Sequence, residues 1–112
     1  MTDTIFSKII NKEIPADIVY EDDLSIAFND ISPEAPTHIL VVPKKAIPKL
    51  SEINEEDENL LGHLLIVAKK ITDDNNIKDF RLVINNGSNA GQTVFHLHLH
   101  ILAGRNFGWP PG

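Results

Sequence analysis

The chain has 112 residues, a formal net charge of −6 and no cysteine. This length is enough for one domain with its own core, residues 1–112, and too short for two. The acidic balance, without any Lys/Arg-rich stripe, argues against a nucleic acid polymer as partner. A small anion remains compatible with the sequence because main-chain N–H groups bind phosphate without net positive charge.

No apolar run approaches the 18 residues that a membrane-spanning helix needs, so we expect no membrane insertion. The first six residues carry an acid and no basic start, which is unlike a signal peptide. The absence of cysteine fits a reducing compartment. Together these features predict a cytoplasmic protein.

The first part of the chain predicts a short helix followed by a hairpin. Apolar side chains recur at helical spacing up to about Lys12, after a cap at Asp3 or Thr4. Residues 17–29 then predict a β-hairpin with an acidic turn at residues 21–23.

The middle of the chain predicts a central strand and one long helix. Residues 38–42 form a nearly continuous apolar run, which indicates a buried strand. Residues 54–71 carry an apolar stripe at helical spacing, with acids near the start and lysines near the end. Ile66 and Val67 widen that stripe and indicate a second buried contact.

The last part predicts a fourth strand at residues 80–84, a turn at 85–91 and a fifth strand through the histidines at 95–101. Five strands with one long helix between the third and fourth indicate an α+β fold. We expect a mainly antiparallel, five-stranded meander with an additional short N-terminal helix.

Three histidines, His96, His98 and His100, alternate with apolar residues in the fifth strand. Side chains alternate between the two faces of a strand, so the histidines are expected to share one face. The opposite face then packs into a core and consists of Phe95, Leu97, Leu99 and Ile101.

Three interpretations of this histidine face are open. The histidines are polar residues on a solvent face, or two of them bind one metal ion with help from His38, or a neutral imidazole attacks phosphorus. No carboxylate adjoins the motif to orient a metal ligand. The turn just before the histidines offers main-chain, amide and hydroxyl donors, as attack on phosphorus requires.

Residues 91–102 resemble the histidine-triad motif, in which three histidines alternate with apolar residues. Further matching segments are residues 4–10, 28–33, 35–38, 42–45 and 109–112, so the resemblance spans essentially the whole chain. The sequence is similar to the histidine triad (HIT) family, and within it to the Hint branch of nucleotide-binding phosphoramidases.

The resemblance implies a role for each polar residue of the motif. His98, the middle histidine, is the expected nucleophile, with His96 positioning it and His38 joining the imidazole network. The expected phosphate-binding groups are His98, His100, Asn85, Thr93 and the backbone of Gly91 and Gln92.

The resemblance also implies a nucleoside site and an assembly. Asp30 is expected to accept hydrogen bonds from the ribose hydroxyls. The base is expected to lie between apolar side chains, namely Phe6, Ile9, Phe28 and Ile31, with Ile5 and Leu40 nearby. A homodimer that extends the sheet is implied, with the 54–71 helix and the fourth strand at its interface. The C-terminal Trp109 is expected to influence specificity near the partner's site.

The implied activity is hydrolysis of the P–N bond of purine nucleoside 5′-monophosphoramidates, an AMP-type substrate class, without metal or other cofactor. A nucleotide-binding interaction protein with incidental hydrolysis and a metal-binding protein are the alternatives. Ala46 stands where relatives often carry another histidine, and His63 matches no motif and is expected at a surface or interface.

Overall fold

The computed structural model describes residues 3–112. Met1 and Thr2, which the sequence assigns to the same domain, lie outside the described residues. Residues 3–112 form two α-helices, five strands and three short 3₁₀ turns. The helices are α1 (Ile5–Ile10) and α2 (Glu58–Asp74), and the strands are β1 (Ile18–Glu21), β2 (Ser25–Asn29), β3 (Thr37–Pro43), β4 (Phe80–Val83) and β5 (Leu99–Ala103).

The five strands form one sheet in the order β1-β2-β3-β5-β4, and every neighbouring pair is antiparallel. The predicted α+β class and antiparallel pairing are confirmed, but a simple meander is wrong. Helix α2 carries the chain across to the far edge, so that β3 and β4 run parallel with a gap between them. Strand β5 fills that gap and pairs with both.

Each face of the sheet is covered by one helix. On one face α2 packs through Leu64, Val67 and Ala68 against alternate residues of β3 and β5. On the other face, Phe6 and Ile9 of α1 pack against the residues of β2 and β3 whose side chains point to that face. The central strands are therefore buried on both faces, which explains the continuous apolar run at residues 38–42.

The helix boundaries differ from the predictions for local reasons. Helix α1 ends at Ile10, two residues before the predicted end. The predicted start of the long helix is a 3₁₀ turn, because Asn54 and Asp57 cap each other's main chain there. Helix α2 then continues to Asp74. Val67 is fully buried while Ile66 is 51% exposed, so of these two only Ile66 is free for a second contact.

The histidine segment is only partly a strand. Strand β5 begins at Leu99, so residues 95–98 are irregular, and Phe95 is 41% exposed instead of lying in the core. Before β5 the chain bonds to the segment after β3: the Leu97 N–H donates to the Ile47 carbonyl at 2.7 Å. No helix within residues 3–112 is long and apolar enough to cross a membrane.

Candidate active site

A cavity of about 630 Å³ lies on the α1 face of the sheet, where three of the chain's histidines meet the N-terminal helix. One end is polar and the other is apolar. The polar end is formed by His38, Asn85, Gly91, Thr93, His98 and His100, and the apolar end by Ile5, Phe6, Ile9, Phe28, Ile31 and Leu40.

His98 is the buried imidazole at the junction of the two ends. Its ring lies edge-on to Phe6 at 4.9 Å between centroids, and 4.9 Å from the ring of His100. Nδ1 lies 2.7 Å from the His96 carbonyl oxygen. A carbonyl only accepts, so Nδ1 carries the proton and donates. The neutral ring therefore has its lone pair on Nε2, the nitrogen that a nucleophilic imidazole uses.

Burial lowers the pKa of His98 below its usual 6.5, with a further contribution from the charge of His38 and an opposing one from Asp30. Burial, with the charges of His98 and His38, also lowers the pKa of His100, to about 4. Both rings are therefore neutral at pH 7, and a neutral imidazole is the form that attacks an electrophile.

His38 and His100 are hydrogen-bonded to each other across β3 and β5. Nε2 of His38 lies 2.9 Å from Nδ1 of His100, and Nδ1 of His38 accepts from the Glu34 N–H at 3.0 Å. The remaining ring nitrogen, Nε2 of His100, is buried and has no partner in residues 3–112. A buried polar atom on a cavity wall without a partner marks a place for a ligand atom.

His96 lies behind the cavity wall. It is 2% exposed, and its Nε2 donates to the Pro43 carbonyl at 2.8 Å. Burial lowers its pKa, so the ring is neutral at pH 7. The carbonyl of His96 holds the Nδ1 proton of His98, so this residue contacts the predicted nucleophile through its main chain.

The turn before the histidines brings Asn85, Gly91 and Thr93 to the cavity but not Gln92. The Gln92 side chain is buried, accepts from the Gly87 N–H and donates to two carbonyls, those of Pro48 and Val94. The main-chain N–H of Gln92 donates to the Gly87 carbonyl at 3.1 Å. Gln92 therefore holds the turn in shape, and the prediction that it contributes to a phosphate cradle is not supported.

The apolar end of the cavity is a slot between α1 and the sheet. Phe6 and Phe28 are buried and pack edge to face at 5.5 Å, with Ile9 and Leu40 beside them. Ile31 is 93% exposed and Ile5 is 47% exposed. These two apolar side chains on the rim, above a buried aromatic floor, form a slot suited to a flat ring.

Asp30 lines the cavity next to His38. Its Oδ1 accepts from the Ser32 N–H at 2.8 Å, and its Oδ2 is 3.5 Å from Nε2 of His38. One carboxylate oxygen of Asp30 and one ring nitrogen each of His38 and His100 could surround a metal ion, since these atoms lie within 4.8 Å of one another. The two imidazole nitrogens of this group already share a hydrogen bond, which an ion would have to break.

Several cavity residues carry no sequence signal. They belong to the loops after α1 and after β2, and include Asp17, Ser32 and Glu34. Their contribution depends on how these loops fold back over the sheet, which residue type and spacing do not encode.

Two other predicted residues lie away from the cavity. His63 on α2 bonds to Asp22 at 2.7 Å and so ties the β1–β2 turn to the long helix. Trp109 is 84% exposed. The segment just before it is held because Phe107 packs between the guanidinium groups of Arg81 and Arg105.

Comparison with known proteins gives one consistent result. The HIT domain family matches residues 11–107. An uncharacterized HIT-like protein from Synechocystis is 66% identical over 111 residues, which is 98% of this chain and 97% of that protein. The structure is similar to a HIT family hydrolase from Legionella pneumophila, with a TM-score of 0.95, 46% identity and coverage of 98% of this chain and 100% of the other. It also resembles a histidine triad nucleotide-binding protein from Candida albicans, with a TM-score of 0.80, 34% identity and coverage of 96% and 83%.

Proposed function

The chain belongs to the HIT domain family, and from this premise we propose that it hydrolyses nucleotide substrates, specifically the P–N bond of purine nucleoside 5′-monophosphoramidates. The observation that carries the proposal is the pairing at the polar end of the cavity. Within residues 3–112, Nε2 of His98 has a free lone pair, and Nε2 of His100 is buried beside it without a partner. One supplies a nucleophile and the other a contact for a phosphoryl oxygen.

In the proposed reaction Nε2 of His98 attacks phosphorus. A P–Nε2 bond forms as the P–N bond breaks, and the leaving amine takes up a proton. Water then attacks the nucleotidyl–His98 adduct, releases the nucleoside monophosphate and frees Nε2. Over the whole cycle, water supplies the hydroxyl that stays on phosphorus and the proton that leaves with the amine.

The cavity supports a nucleotide lying along its length. The phosphoryl group would lie among His98, His100 and Thr93, the ribose beside Asp30, and the base in the apolar slot. A related structure is named a nucleotide-binding protein, which favours a nucleotide over other phosphate-containing ligands.

The test is a turnover screen of purine nucleoside phosphoramidates, dinucleoside polyphosphates and nucleotide sugars. We expect the phosphoramidates to give the highest kcat/KM, and we expect His98→Asn to abolish that turnover. His63→Asn is the matched control, because it removes a histidine outside the cavity. Equal turnover by wild type and His98→Asn would leave an interaction protein with incidental hydrolysis as the better account.

We further propose a homodimer. Leu65 and Ile66 of α2 are 52% and 51% exposed, and β4 is an edge strand whose Phe80 is 39% exposed. A two-fold contact that pairs β4 with its copy would cover these apolar side chains and extend the sheet. Sedimentation velocity at micromolar concentration should give a dimer, and Ile66→Glu should shift it toward monomer. A monomeric wild type would refute this proposal.

We propose that the C-terminal tail reaches the partner subunit's site and discriminates between substrates with different leaving amines. Its start is fixed by Phe107 between two guanidiniums, while Trp109 beyond it is exposed. Deletion of residues 107–112 should change the relative kcat/KM among several amines more than it changes the free energy of unfolding. Unchanged ratios would remove this role.

A further inference from the structure

The direction of the hydrogen bond between His38 and His100 is set by a main-chain group outside both histidines. The Glu34 N–H points at Nδ1 of His38, at 3.0 Å. An N–H only donates, so Nδ1 of His38 holds a lone pair and the proton of the neutral ring lies on Nε2. That Nε2 is 2.9 Å from Nδ1 of His100. His38 therefore donates and His100 accepts.

The consequence appears at the cavity wall. Because Nδ1 of His100 accepts, the neutral ring carries its proton on Nε2, which is the buried nitrogen without a partner in residues 3–112. His100 therefore presents an N–H donor to the cavity. A donor is the group that binds an anionic oxygen, whereas a lone pair at the same place would repel it.

We propose that the main-chain N–H of Glu34 is a positioning group that makes His100 a hydrogen-bond donor toward the substrate's phosphoryl oxygen. This inference rests on the proposed function for the identity of the acceptor. Oδ2 of Asp30, 3.5 Å from Nε2 of His38, lies beyond ordinary hydrogen-bond distance and does not fix the proton there. Without the Glu34 N–H, the proton of His38 can therefore move to Nδ1. Nε2 of His38 then accepts from Nδ1 of His100, and the lone pair of His100 faces the cavity. One main-chain N–H thus determines whether Nε2 of His100 donates or accepts a hydrogen bond.

The backbone of Glu34 is also held at its carbonyl, by the chain that follows β5. The Nε–H of Arg105 donates to the Glu34 carbonyl at 3.0 Å. Gly104 has φ +95°, and a Cβ at that position would lie 2.8 Å from Cβ of Pro36. The loop after β2 therefore lies directly against the end of β5. Arg105 acts as a second positioning residue, through Glu34 and not by contact with the cavity.

Two variants at one position separate the N–H from the side chain. Glu34→Pro removes the main-chain donor, and Glu34→Ala keeps it while removing an exposed side chain. Long-range ¹H–¹⁵N correlation spectra of histidine-labelled protein at pH 7 report which ring nitrogen is protonated. We expect wild type and Glu34→Ala to have His38 and His100 protonated on Nε2. In Glu34→Pro we expect the Nδ1 tautomers to appear, and kcat/KM to fall by about 10²-fold, as for loss of one oxyanion donor.

A second pair avoids any change of backbone, should Glu34→Pro fail to fold. Arg105→Met removes the donor to the Glu34 carbonyl, while Arg81→Met removes the other guanidinium on Phe107 and leaves the hydrogen bonds of the Glu34 backbone intact. We expect Nδ1 tautomers of His38 and His100 in Arg105→Met only. The proposal is overturned if Glu34→Pro and Arg105→Met both keep the wild-type tautomers. If Glu34→Pro does not fold, wild-type tautomers in Arg105→Met alone overturn it.

The tautomer measurement needs no turnover, so it separates this inference from the proposed function. Titration with AMP then tests whether His100 contacts a phosphoryl oxygen. The ¹⁵N resonance of Nε2 in His100 should shift in wild type because its N–H gains an acceptor. If the tautomers and this shift are as expected but no phosphoramidate is hydrolysed, the proposed function fails and the positioning role stands. If wild-type His100 is protonated on Nδ1, the positioning role fails whatever the enzyme hydrolyses.

Discussion

Acidification should destabilise this protein through His100, and the size of the effect follows from its burial. The pKa of His100 is lowered from 6.5 to about 4 in the folded state because the ring is buried beside His98 and His38. Above pH 6.5 the ring is neutral whether the chain is folded or not, and stability is unaffected. As the pH falls from 6.5 towards 4, the unfolded chain binds a proton that the folded chain does not, so stability is lost.

The shift to about 4 corresponds to a loss of about 3 kcal/mol from this one residue, at 1.36 kcal/mol per pKa unit. This is a sizeable part of the roughly 5–15 kcal/mol of a typical domain. Lowered pKa values of His96 and His98 act in the same direction, so wild type should lose more than this amount in total.

Urea unfolding of wild type and His100→Asn, at several pH values between 7 and 4, isolates the contribution. Far-UV circular dichroism is the better probe because Trp109, the chain's single tryptophan, is 84% exposed and reports little on the core. Protein concentration is held constant, since a dimer would make stability depend on it. Between pH 7 and 4, the free energy of unfolding should fall by about 3 kcal/mol less in the variant than in wild type. Equal losses in the two proteins would refute the assigned cause.

Three further predictions concern neighbouring residues. The acid limb of kcat/KM should lie below pH 6.5, because burial lowers the pKa of His98 and only its neutral form attacks; a limb at or above the usual histidine pKa would contradict this. Gln92→Ala should lower the free energy of unfolding, measured in urea, by about 2–3 kcal/mol, because it leaves the Gly87 N–H and two carbonyls unpaired. A decrease below about 0.5 kcal/mol would show that Gln92 does not stabilise the turn. Asp30→Ala should raise KM about tenfold for a ribonucleotide substrate and little for its 2′-deoxy analogue; equal effects on both would exclude the ribose contact.

Much of the fold could be predicted because the apolar pattern follows the sheet closely. Strands β2 and β3 are buried on both faces, which gives the continuous run at residues 38–42, and α2 carries its stripe at helical spacing. The position of β5 between β3 and β4 could not be predicted, because a hydrophobic pattern identifies strands but not their neighbours. Once α2 makes β3 and β4 parallel, an antiparallel fifth strand has its place between them.

Part of the candidate site could be predicted from side-chain type, namely which histidines of the motif line the cavity. The alternation of histidines with Leu97, Leu99 and Ile101 holds, with the apolar residues in the α2 core and His98 and His100 at the cavity. It breaks at Phe95, because the segment before β5 bonds to the loop after β3 instead of joining the sheet.

Residues that act through the main chain or through bracing were not predictable from side-chain type. Glu34 contributes an N–H that any residue except proline would supply. Gln92 sits within the motif and has the donors that a phosphate cradle needs, yet three hydrogen bonds within its own turn and to Pro48 occupy its side chain. Only the path of the loops decides between these outcomes.

The proposed reaction requires that Nε2 of His98 becomes covalently bonded to phosphorus during turnover. Rapid-quench mass spectrometry of wild type with an adenosine phosphoramidate, followed by peptide mapping at neutral to alkaline pH, tests it directly. We expect the added mass of one nucleotidyl group on His98, and no such mass in His98→Asn. An adduct on His96 or His100, or rapid turnover with no adduct and with inversion of configuration at phosphorus, would contradict it.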